Sequence, residues 1–123
     1  MSHEMLPVNP HAVTRIVNEL AAAQAARDDE NEGKARVCAR RAAGWAITEY
    51  RRRLGFDVQG VTAYSHLQWA AQHPQLDVRI KAAAEALIER IDYDHALASG
   101  ADALLEARVI IQHFLPEART EAS

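Results

Sequence analysis

The stretch ARVCARRAAGWAITEY, residues 35–50, sets Ala39, Ala42, Ala43, Ala46, Ile47 and Tyr50 at three-and-four spacing. That is the period of a helix that buries one broad face. Because most of these side chains are small, a neighbouring backbone can come close along them. The stretch therefore reads as the central packing helix of an all-α protein. It is expected to run from about Lys34 to Leu54, with Leu54 on the same face and Gly55 placed for a left-handed C-terminal cap.

Upstream, NPHAVTRIVNEL offers Asn9 as a cap and Pro10 at the first helical position, followed by Val13, Ile16, Val17 and Leu20. This predicts a first helix over about 10–27. A polar link, RDDENEG, ends at Gly33, although its acids would equally suit the positive end of the next helix. Downstream, Val61–Gln72 reads as a shorter helix with Ala63, Tyr64, Leu67 and Ala71 on its apolar side, ended by His73-Pro74. Gln75–Ile91 carries a stripe of Ile80, Ala83, Ala84, Leu87, Ile88 and Ile91. The segment SGAD resembles a capping box with Ser99 as cap and Asp102 at the third helical position, opening a last helix that Pro116 closes. Short links between these helices predict an antiparallel four- to five-helix bundle.

At 123 residues with 49% hydrophobic and 25% charged residues, the chain is expected to form one globular domain over 1–123, with 1–8 and 117–123 frayed. The net charge of −3 provides no global attraction for nucleic acid or anionic membrane, so any such binding must be local. Cys38 is alone and forms no internal disulfide. With no signal-type N-terminus and no run approaching about 18 apolar residues, a cytoplasmic protein without membrane contact is expected. The last helix carries Leu104, Ile110, Ile111, Phe114 and Leu115 on one side, while Leu105 and Val109 extend round the other. Each large apolar side chain left in water forfeits roughly 1.5–3 kcal/mol of burial, so a homodimer through this helix is expected.

The densest positive charge falls between Lys34 and Arg53. Arg40, Arg41, Arg51 and Arg52 lie opposite the alanine face, where they read either as a phosphate-contacting strip or as a solvated helix face, with Arg51–Arg53 complementing the helix dipole. The six histidines have no metal-type spacing, the nearest being Asp92 to His95, so neither metal nor cofactor is expected. Ser65 beside His66 and the isolated Cys38 form no nucleophile signature. Trp45 and Trp69 sit at the margins of apolar faces, suited to rim packing, and Trp69 also to a contact surface.

Two Arg-x4-His pairs remain, Arg90 with His95 and Arg108 with His113. The overall plan resembles the HEPN (higher eukaryotes and prokaryotes nucleotide-binding) family, small helical bundles that commonly dimerise. ARVCARRAAGWAITEY and AAAEALIERIDYDHALASGADALLEARVIIQHF carry the likeness, over roughly residues 35–115. Many members have an arginine followed shortly by a histidine late in the chain, and in active members this pair cleaves RNA without metal. The resemblance would assign Arg108 to the scissile phosphate and His113 to proton transfer. Active members usually place a polar residue after the arginine, where this chain has Val109, and at ~100° per residue Arg108 and His113 point about 140° apart. The expected function is therefore a dimeric, non-catalytic binding module whose partner is RNA or a protein such as a nucleotidyltransferase. A metal-independent ribonuclease of toxin–antitoxin type and a structural adaptor are the alternatives.

Overall fold

The computed structural model describes residues 5–89 and 101–118. Within them lie α1 (Pro10–Asp28), α2 (Glu32–Arg53), α3 (Ala63–Gln72), α4 (Val78–Ile88) and α5 (Ala103–Phe114), followed by a 3-10 turn at Pro116–Ala118. No strand occurs among the described residues, and no helix there is long and apolar enough to cross a membrane. The bundle is built around α2, which packs against α1, α3 and α5, while α4 joins α3 to α5 on the far side.

Caps define each helix. The Asn9 side chain accepts from the His11 N–H, with Pro10 in the first turn. α1 closes with N–H groups of Glu30 and Asn31 donating to the carbonyls of Arg27 and Ala26, which puts Glu30 at φ 60°. A left-handed non-glycine residue costs roughly 1–2 kcal/mol, and here that conformation allows Asn31 to cap α2 at once through the Lys34 N–H. The link is thus three residues, and Glu32 and Gly33 belong to the first turn of α2, not to a linker. At the other end Gly55, at φ 97°, and Phe56 donate to the carbonyls of Arg52 and Arg51, as the expected cap requires. Leu54 differs from its expected place on the packing face and is exposed.

Asp102 is the N-cap of α5, its carboxylate accepting from Leu104 and Leu105 N–H, and not the third helical residue of a box begun at Ser99. Ser99 itself, with Ile91, Arg90 and His95, lies outside the described residues. Arg27 holds Asp102 at 3.0 Å and Glu32 at 3.2 Å, tying the ends of α1, α2 and α5 together.

The core gathers Ile16, Leu20, Ile47, Leu67, Leu87 and Ile110 around Ala39, Ala42, Ala43 and Ala46, all four of which are fully buried. The alanine face does what small side chains allow, and Gly44 beside it goes further. A Cβ on Gly44 would fall against the Cβ of Ala63 and only 2.7 Å from its Cα, so α3 starts directly on the α2 backbone. In an ordinary helix interior glycine to alanine gains about 1 kcal/mol. Overpacking against an immobile backbone costs about 1–3 kcal/mol, so Gly44→Ala is expected to destabilise on balance. Urea unfolding checks this, and an alanine variant as stable as the parent would remove the close-approach argument.

Residues expected to fray are partly held. The Leu6 N–H donates to the Arg53 carbonyl at 3.0 Å, and Arg52 and Arg53 donate to the carbonyls of Pro7 and Leu6. Ala118 is buried, and Glu117 lies 3.5 Å from Arg53. Arg52 and Arg53 therefore tie both ends of the described chain to the C-terminus of α2.

Candidate functional site

Arg108 and His113 both stand exposed on α5, and among the described residues no hydrogen bond or ion pair joins them. The His113 ring instead meets Phe114 edge-on, with centroids 4.7 Å apart. Val109 between them is half-buried against the core, and five residues of continuous helix at ~100° each put the two side chains on different sides. Within this chain the pair is not a constellation.

The arginines of α2 separate in the same way. Arg40 donates through Nε to the Leu87 carbonyl at 2.8 Å, tying α2 to α4. Arg51 enters an aromatic cage, its guanidinium 4.6 Å from the Trp69 ring centroid and 5.3 Å from that of Phe56. Arg52 makes a forked pair with Glu49, both nitrogens at 2.8 Å. Arg41 alone of these four is exposed, with Glu19 at 3.9 Å and no hydrogen bond among the described residues. The four do not form one open strip, because three are engaged in holding the fold.

Three charged or titratable groups that the sequence reading did not place in the interior are buried. Arg36 is 5% exposed, with Nε and Nη2 unpartnered among the described residues. Glu49 is 4% exposed; burial pushes its carboxyl up, but bonds from Arg52 and the Asn9 N–H outweigh this and hold it below the ordinary range. His66 is fully buried, its Nδ1 3.3 Å from Arg51 Nη1. Since a guanidinium only donates, Nδ1 accepts and the proton sits on Nε2, which finds no acceptor. Burial first, then the Arg51 charge, pull its pKa down from 6.5 to about 4. The signal was present: Ala63, His66 and Ala70 share helical spacing, and it is His66, not Tyr64, that turns inward on α3.

The concavity lies elsewhere. Gly44, Trp45 and Thr48 of α2, with Val58, Val61 and Thr62 of the α2–α3 loop, line a half-open recess of about 580 Å³. This falls within the roughly 300–1,000 Å³ of small-ligand sites. Its frame is fixed by the Gly55 cap, by Thr62 accepting from the Ser65 N–H, and by the Gly44–Ala63 contact. The Thr48 hydroxyl is committed to the Gly44 carbonyl at 2.8 Å and that of Thr62 to Ser65 Oγ, leaving the walls mainly apolar. Arg41 and Gln59, both exposed, supply the uncommitted polar groups. Trp45 also borders a second recess with Arg15, Asn18 and Glu19, and the Arg15 guanidinium lies 4.5 Å from its ring centroid.

No family model, curated protein or solved structure matches this chain. The site must therefore be judged on its own geometry. Among the described residues no three His, Cys, Asp or Glu side chains are grouped to hold a metal ion. Cys38 is buried, and burial raises its thiol pKa, which disfavours the reactive thiolate. Sequence reasoning placed Trp45 at a rim but missed the recess, since its other wall comes from residues 58–62, which have no periodic pattern.

Proposed function

We propose that this chain is a non-catalytic, HEPN-like binding module that presents the Trp45 recess to a small ligand and pairs with a second copy along α5. The observation that carries the binding reading is the recess itself, a preformed concavity with apolar walls and a few free polar groups on a rigid frame. Support for the HEPN-like part is the helix order, with the alanine face on a long second helix and the arginine–histidine pair on the last. A mixture of small apolar and aromatic fragments is expected to shift the backbone amide resonances of Gly44, Thr48, Gly60 and Ala63 in solution. Shifts scattered over the surface, or none, would remove the binding reading.

Pairing is supported by Leu105, which is 55% exposed, and by Val78, 80% exposed. Each adjoins a member of the Arg79–Glu106 ion pair, so both flank the same junction of α4 and α5. Val109 contributes less than its sequence position suggested, being half-buried already. Leu105→Glu is expected to halve the mass seen by light scattering. A parent protein that already runs as a monomer would remove the dimer. The ribonuclease reading has one observation in its favour, that Arg108 and His113 are free and exposed. RNA left intact in EDTA would exclude it, while cleavage abolished by His113→Ala would displace the binding module.

A further inference from the structure

We infer that the Trp45 recess takes a small amphipathic anion, a flat aromatic body carrying one carboxylate; this rests on the binding reading above. The body is specified by the walls. Trp45 offers an indole surface, Val58, Val61 and Ala63 offer aliphatic contact, and the two threonine hydroxyls have already donated their protons within the protein and can only accept. A polar ligand body would leave polar groups unpaired there, at the cost of desolvation.

The charge is specified by Arg41, the one cation among the residues lining this recess. Arg41 lines the recess with its guanidinium donors free of hydrogen bonds among the described residues, and its ion partner Glu19 stands at 3.9 Å, the far limit of pairing. Arg15 lies over the indole. Arg15 and Glu19 border the second recess on Trp45, whereas this recess is lined by the one cation Arg41 and by no carboxylate, so a single ligand carboxylate would balance it. The planar fork of Arg41 suits that group, since it can donate two parallel N–H bonds to the two oxygens. Gln59 adds a neutral donor beside it. A dianionic phosphate would exceed that single positive charge, so the monoanion fits better.

The test compares naphthoate with naphthamide, which share the ring system and differ in charge, by titrating the full chain and following the amides of Gly44, Thr48 and Gly60. Naphthoate is expected to bind about three- to tenfold more tightly, the range for a partly exposed charge-assisted pair. Arg41→Gln should reduce that preference to within about twofold, because naphthoate loses more affinity than naphthamide. Equal affinity for acid and amide, or a preference that survives Arg41→Gln, would overturn the anionic assignment while the recess still binds. Failure of both probes to move these amides would instead count against the recess as a binding site. Added salt should weaken naphthoate and spare naphthamide, a readout that a purely structural role for Arg41 would not produce.

Discussion

Acidification from pH 7 is expected to destabilise this protein well before its carboxylates protonate. His66 is neutral in the fold, with a pKa of about 4 against 6.5 in the unfolded chain, so the folded state binds fewer protons between those values. Its contribution is complete above pH 6.5 and is lost as pH falls, at about 1.4 kcal/mol per pH unit, or about 3 kcal/mol in all. The physical reason is that an imidazolium here has nowhere to put its protons. Nδ1 faces the Arg51 guanidinium and Nε2 faces no acceptor, and Arg51 is the charged group whose field reaches the ring. Glu49 and Asp102 act in the same direction but in a lower window, since both have lowered carboxyl pKa values and lose their contribution only as pH falls below the ordinary carboxylate range. Unfolding midpoints measured at pH 7, 6 and 5 should therefore fall in the parent and stay nearly level in His66→Gln, which cannot titrate. Parallel falls in both proteins would rule out His66 as the cause.

Glu49→Ala is expected to cost about 3 kcal/mol, because removing one partner of a buried ion pair strands the groups it satisfied. Glu49 holds Arg52 by two bonds and accepts the Asn9 N–H at 2.7 Å, a contact spanning forty positions in sequence. Arg52 in turn holds the Pro7 carbonyl, so the loss should spread to residues 5–9 and to the start of α1. Urea unfolding gives the magnitude, and hydrogen exchange gives the location, with faster exchange at Asn9 and His11 than in α3. A change below about 0.5 kcal/mol would mean that solvent replaces the carboxylate at no cost, contrary to its burial. Glu49→Gln, which keeps the shape and one acceptor, should cost roughly half as much.

Both effects arise where charged groups were drawn into the bundle, and that is where sequence reasoning and structure part. The alanine face of α2, the Asn9-Pro10 start of α1 and the Gly55 stop are legible because they rest on interactions between residues at most five apart, which the chain order itself displays. Misplaced features followed a local rule that a distant partner overrode. Asp102 suits a capping box in SGAD, yet it is itself the cap, and it also pairs with Arg27 of a distant helix. Leu105 and Val109 share an apolar margin on a wheel, yet one is exposed and the other half-covered because the neighbouring helices reach only so far round α5.

The sequence by itself determined that this chain is helical, where most of its helices begin and end, and that α2 lies at their centre. Periodicity and capping fix those, being short-range. Tertiary structure alone decided which arginines face solvent, because a helical wheel gives a direction but not what fills it. Arg40 meets a carbonyl 47 residues away and Arg51 a histidine 15 away, while Arg41 meets little and is left at the recess. The recess itself needed the α2–α3 loop to fold back on Trp45, and that position depends on one missing Cβ at Gly44.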